Sequence, residues 1–157
     1  MKITSKNGEE LNFLETGVDG IYVLDRIAFM DYFDDNNNDW EKSAGKKKLQ
    51  KWAEQNLPKE ILDQFDVDLP TIGEVFSKRT LKWWKPAIKP TSKQFPIFKK
   101  IKNRIRKFKG GNPTLWWTRS TDIGIDYLAW IVDLCGGMNR DYTGNPNGFV
   151  PVLRRKK

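Results

Sequence analysis

The chain has 157 residues, 38% of them hydrophobic and 13% aromatic, including seven Trp, which fits one domain with a sizeable core and excludes disorder throughout. It has no histidine and a single cysteine, which excludes an intrachain disulfide, Ser-His-Asp and Cys-His nucleophile systems and nearly all zinc sites, but leaves carboxylate, Lys and Tyr chemistry open. The net charge of +8 is unevenly placed: residues 1–74 hold 9 Lys/Arg against 16 Asp/Glu, whereas residues 75–121 hold 14 Lys/Arg and no acid, a polarity that points to an anionic partner.

From the N-terminus, Ile3 and the alternating Leu11 and Phe13 flank Asn7-Gly8, a hairpin signal. Residues 20–24 are β-branched and aromatic and read as a strand. Asp34 to Asp39 reads as a polar loop. Ser43 caps a helix with Leu49, Trp52, Ala53 and Leu57 on one face, and Pro58 starts a second with Ile61, Leu62 and Phe65. Thr71-Ile72-Gly73-Glu74 matches a capping box and starts a third, short helix that ends before Pro86.

Pro86, Pro90, Pro96 and Pro113 punctuate the following stretch. Within it, Phe98, Ile101, Ile105 and Phe108 recur at helical intervals, so a basic amphipathic helix is expected over 97–108. Residues 115–118, 127–132 and 149–153 read as strands, with a polar, Gly-rich hairpin connection from Gly136 to Tyr142 and a turn at Asn145-Pro146-Asn147-Gly148. Cys135 lies in an apolar run and is expected in the core. The class expected is α+β in one domain over 1–157. It has short strands at both ends, brought close together, two or three helices between them, and a basic, Pro-containing insertion over 78–113.

Four segments carry a family resemblance: Asn37-Asn38-Asp39-Trp40-Glu41-Lys42-Ser43 with Leu49-Gln50-Lys51-Trp52; Asp68-Leu69-Pro70-Thr71-Ile72-Gly73-Glu74; Trp116-Trp117-Thr118-Arg119-Ser120; and Gly148-Phe149-Val150-Pro151-Val152-Leu153. In order and spacing, over about residues 20–155, they resemble a small bacterial and phage domain of unknown function. That domain carries a Trp-x-x-Ser and a Leu-Pro-Ser helix start, a Trp-Trp-Leu-Arg-Ser strand and a Gly-Val-Arg-Pro strand. The resemblance implies a C-type-lectin-like fold, shared with formylglycine-generating enzymes and phage receptor-binding domains, and implies no activity. This chain departs at Thr71, Thr118 and Val150, which stand where the pattern has Ser, Leu and Arg. Formylglycine-generating chemistry uses two cysteines and is set aside here. The calcium and sugar motifs of true lectins are missing.

Two constellations bear on function. Between Lys78 and Lys109 lie 13 Lys/Arg with Trp83, Trp84, Phe95, Phe98 and Phe108 interleaved. Cations neutralise phosphates and aromatic faces stack on unpaired bases, although core aromatics with solvated lysines would read the same way. The residues expected to meet a polyanion are Lys78, Arg79, Lys82, Lys85, Lys99, Lys100, Lys102, Arg104, Arg106, Lys107 and Lys109, with the Arg154–Lys157 tail in support. Trp83, Trp84, Asn139, Arg140 and Tyr142 are candidate ligand contacts. Asp31 to Asp39 lacks the Gly and the terminal Glu of a calcium loop and reads as solvated. Arg119 is expected in an ion pair with Asp122 or Asp126.

The function expected is recognition without turnover, with no cofactor or metal. The partner is nucleic acid or an acidic or nucleic-acid-bound host protein, as for a phage or mobile-element inhibitor of a host defence system. A ligand-recognition or assembly module of a virion or surface-associated protein is the alternative. No apolar run is long enough for a membrane span and no signal peptide is evident, so a cytoplasmic location is expected.

Overall fold

The computed structural model describes residues 1–84, 87–88 and 92–157. The chain opens with the expected hairpin, β1 (Lys2–Thr4) and β2 (Glu10–Glu15), in a register that sets Ile3 opposite Leu11. Gly8 makes the turn at φ +82°, where residues with a Cβ are strained. β2 pairs with β3 (Ile21–Leu24), and after a crossing at residues 25–28 the chain forms β4 (Phe29–Asp31). Helix α1 (Ala44–Asn56) starts at Ser43, whose hydroxyl accepts from Lys46 N. It buries Leu49 and Ala53. Helix α2 (Lys59–Gln64) follows Pro58 and leads into β5 (Phe65–Asp68).

The capping box forms as expected: Thr71 Oγ1 accepts from Glu74 N while the Glu74 carboxylate accepts from Thr71 N. It opens α3 (Ile72–Val75), and Ser77 caps a further turn, α4 (Lys78–Leu81). The C-terminal half adds β6 (Trp116–Thr121), β7 (Leu128–Val132), β8 (Met138–Tyr142), β9 (Asn147–Phe149) and β10 (Val152–Arg155). The Gly-rich connection expected at 136–142 is therefore mostly a strand, paired along its length with β7. Polar β8 sits at the sheet edge, where alternating apolar residues are not required. The single final strand expected over 149–153 is two strands, broken at Val150-Pro151, where the chain changes sheets.

The two sheets run β1-β2-β3-β10-β5 and β4-β9-β6-β7-β8. The chain ends do meet in one sheet, with β10 between β3 and β5. Among the named strands all pairings are antiparallel except β6 with β9. The strand period of two divides β6 and β7 between two cores. Trp117, Ala129 and Ile131 join Phe13, Phe33 and the α1 residues; Trp116, Trp130 and Val132 join Ile72, Phe76, Leu81, Phe95 and Phe98. Three fully buried tryptophans thus fill both sides of one sheet. The basic stretch is part of this layering, since Leu81, Ile88, Phe95 and Phe98 close the second core. The result is a single mixed α+β domain with two curled sheets and few helices. Among the described residues, no helix is long and apolar enough to cross a membrane.

Candidate functional site

The cationic layer begins at α4. Its one buried side chain, Leu81, anchors it to the second core and leaves Lys78 and Arg79 exposed. The 3-10 turn Lys82–Trp84 continues outward. Trp84 is half-buried and packs edge-on against Trp130 at 5.2 Å, whereas the next-door Trp83 is 84% exposed. Lys85 lies outside the described residues.

Residues 96–104 form two 3-10 turns, Pro96–Lys99 and Ile101–Arg104, and not the amphipathic helix expected over 97–108. The backbone there is committed elsewhere. Phe95 N donates to Glu74 O, Ile97 N to Thr16 O, and Lys107 O accepts from Ile27 N. Asn103 Nδ2 and Arg104 Nε take the Ile97 and Phe98 carbonyls. Groups satisfied this way have nothing to gain from an α-helical ladder. Phe95 and Phe98 are buried in the second core, and Lys99, Lys100, Lys102, Lys107 and Lys109 are exposed.

Two arginines expected at the surface turn inward. Arg104 Nη1 donates to Gly136 O at 3.3 Å, and the guanidinium stacks on Phe76 at 4.9 Å; burial lowers its pKa. Arg106 is only 4% exposed. It lies against Phe98 and gives Nη1 to Asn103 O, while its Nε and Nη2 have no partner among the described residues. Burial pulls its pKa down to about 10, opposed in part by Asp25. Arg106 is therefore unavailable to a partner.

A buried cation without a paired acid costs stability, so an apolar side chain of similar length should do better. Arg106→Met is expected to raise stability by about 1–2 kcal/mol at neutral pH. The gap should narrow above about pH 10, where the folded arginine gives up its proton before the unfolded one does. Denaturant melts of both proteins across pH check this, and a destabilised variant would contradict it.

The ligand contacts expected around β8 divide. Arg140 Nη1 donates to buried Asp122 at 2.6 Å and lies over Trp84 and Trp130 at 5.7 and 5.5 Å, so it braces the layer from below. Asn139 and Tyr142 are exposed, the latter beside Tyr127 at 5.9 Å. Because Arg140 holds Asp122, Arg119 does not pair with it. Arg119 N donates to Pro70 O, which turns its side chain to Asp68 at 3.3 Å. Cys135 is exposed, not buried, because it sits in the turn after β7 that Asp133 organises.

Arg155, Lys156 and Lys157 are exposed, but three of the four C-terminal cations are engaged with the fold. Arg154 pairs with Glu74, Arg155 lies over Phe65, and Lys156 Nζ donates to Leu62 O. In the Asp31–Asp39 loop the oxygens serve the backbone: Asp34 accepts from Ala44 N and Asp39 from Glu41 N. Asn38 Nδ2 reaches three carbonyls of the β6–β7 connection, a role its sequence context did not signal. Among the described residues no three Cys, Asp or Glu side chains gather as a metal site.

What remains of the expected set is Lys78, Arg79, Lys82, Lys99, Lys100, Lys102, Lys107 and Lys109. All are exposed, and among the described residues none has an acidic side chain within ion-pair distance. Where acids of residues 1–74 form ion pairs, as in Lys48–Asp31 and Lys59–Asp63, their partners are other cations, and among the described residues none pairs with this layer. Comparison with known proteins adds no relative: no family model matches the chain, and neither a curated protein nor a solved structure is significantly similar to it.

Proposed function

We propose that the chain is a non-enzymatic binding protein that docks a polyanion, nucleic acid or a nucleic-acid-handling protein complex, on its cationic layer. The observation that carries this reading is the set of eight exposed lysines and arginines, without acid partners among the described residues, on the segment that closes the second core. Cations left unpaired in this way are free to replace counterions along a phosphate chain. Exposed Trp83 stands among them and offers a face for an unpaired base. A C-type-lectin-like arrangement belongs to the same reading. The meeting of the two chain ends in one sheet supports it. A phage or mobile-element accessory protein that occupies a host nucleic-acid-handling complex would present such a surface.

The test is a titration of single- and double-stranded oligonucleotides across a salt series. With four to eight phosphate contacts to a single strand, affinity should fall by about fiftyfold to two-thousandfold between 50 and 200 mM salt. Trp83→Ala should weaken single-strand binding more than duplex binding. No binding at low salt, or affinity indifferent to salt, would remove the proposal.

A further inference from the structure

A second concave region lies away from the cationic layer. The cleft between α1 and β5 encloses about 460 Å³, and a neighbouring hollow of about 440 Å³ meets it at Arg119. Arg119 is poised in an unusual way. Its one acidic neighbour, Asp68, sits 3.3 Å from Nη1. That carboxylate already accepts from Trp40 Nε1 and Leu69 N through its other oxygen. The Arg119 guanidinium makes no side-chain hydrogen bond among the described residues, and about a third of its side chain is exposed. A guanidinium fixed on one side by Asp68, with donor capacity left on its exposed side, can take a planar carboxylate through two parallel hydrogen bonds.

The rest of the cleft selects among anions. Arg154 and Lys156 line it, but the first is turned to Glu74 and the second to Leu62 O. Asp66 and Glu54 also line it, and among the described residues neither carboxylate has a hydrogen-bond or ion-pair partner. A dianionic phosphate brought to Arg119 would face these two acids and Asp68. A ligand carrying both a carboxylate and an ammonium would meet a partner for each group. Beside these charged residues, Leu62, Phe65 and Ala53 also line the cleft and offer an apolar floor for a side chain, and the volume lies within the range of small-molecule sites.

We propose that this cleft binds a free α-amino acid, with Arg119 holding the carboxylate and Asp66 the ammonium group. This assignment stands apart from the cationic layer and does not depend on it. The experiment is calorimetry and thermal shift on the full chain with each of the twenty amino acids up to 10 mM, against Arg119→Lys and Asp66→Asn. Controls are the N-acetyl derivative and the carboxamide of any amino acid that binds. We expect at least one amino acid to bind with millimolar or better affinity. Both variants and both derivatives should then lose at least tenfold.

Arg119→Lys keeps the charge but not the two-pronged donor, so its loss separates geometry from attraction. Asp66 is exposed and unpaired, so Asp66→Asn should fold normally even where Arg119→Lys does not. Absence of any binding, equal binding of the blocked derivatives, or undiminished binding by Asp66→Asn would each overturn the assignment. Oligonucleotide binding should be unchanged in both variants, so this site can fail without touching the other.

Discussion

Exchanging Lys99, Lys100, Lys102 and Lys107 together for glutamate is expected to weaken single-stranded oligonucleotide binding by about four-thousandfold at 50 mM salt, with no change in melting temperature. The magnitude follows from counterion release. Each phosphate contact on a single strand contributes about −0.7 to the slope of log affinity against log salt. At 50 mM salt that is worth roughly eightfold per contact, and four contacts multiply to about four-thousandfold. The slope itself should become shallower by about three. The fold should be unaffected, because these four side chains are exposed and make no ion pair among the described residues.

Arg106→Met provides the internal control. Arg106 lies in the same stretch and carries the same formal charge, yet it is buried against Phe98. Its replacement should leave oligonucleotide affinity and salt slope where they are. If the lysine exchange left binding intact, the anion would be docking elsewhere. If Arg106→Met abolished it, the inward placement of that side chain would be wrong.

The contrast between these neighbours also marks how far the sequence could be read. Local signals were legible where one chemical rule decides them. Asn7-Gly8 made its hairpin, Ser43 and Thr71 capped their helices, and the apolar runs at Trp116-Trp117 and Leu128–Val132 made central strands. Composition also located the cationic stretch. It could not say which cations in that stretch face out, because 97–108 carries helical spacing while its backbone is bonded to Thr16, Ile27 and Glu74, residues distant in sequence. Arg104 and Arg106 turn inward as a result. The same limit applied to β8, an edge strand whose polar residues carry no alternation to detect, and to Arg154, whose partner Glu74 lies 80 positions earlier. The Arg119 cleft was not legible either: its residues come from α1, β5, β6 and β10, which only the sheet order brings together.

Glu74→Ala is expected to be the most damaging single substitution of a polar residue, costing about 3–5 kcal/mol and lowering the melting temperature by roughly 10 °C or more. Two structures converge on the carboxylate of this residue, which is only 6% exposed, and a third is held by its backbone. It closes the capping box of α3 by accepting from Thr71 N at 2.7 Å. It receives Arg154 Nη1 and Nη2 at 2.8 and 2.7 Å, tying α3 to β10. Its backbone carbonyl holds Phe95, so the helix it opens also anchors the cationic layer. Burial opposes the charge on Arg154, but the bonds to Glu74 and the nearby Asp68 outweigh it and hold that pKa above the ordinary arginine value. The charge on Arg154 thus persists throughout the working pH range, and removing Glu74 leaves it half-buried with no acid bonded to it. Removing both charges should cost less than removing one. Glu74→Leu combined with Arg154→Met is therefore expected to recover more than half of the loss. Denaturant melts of the two single variants and the double variant measure this coupling. A double variant no more stable than Glu74→Ala would mean that the capping box, and not the ion pair, carries the effect.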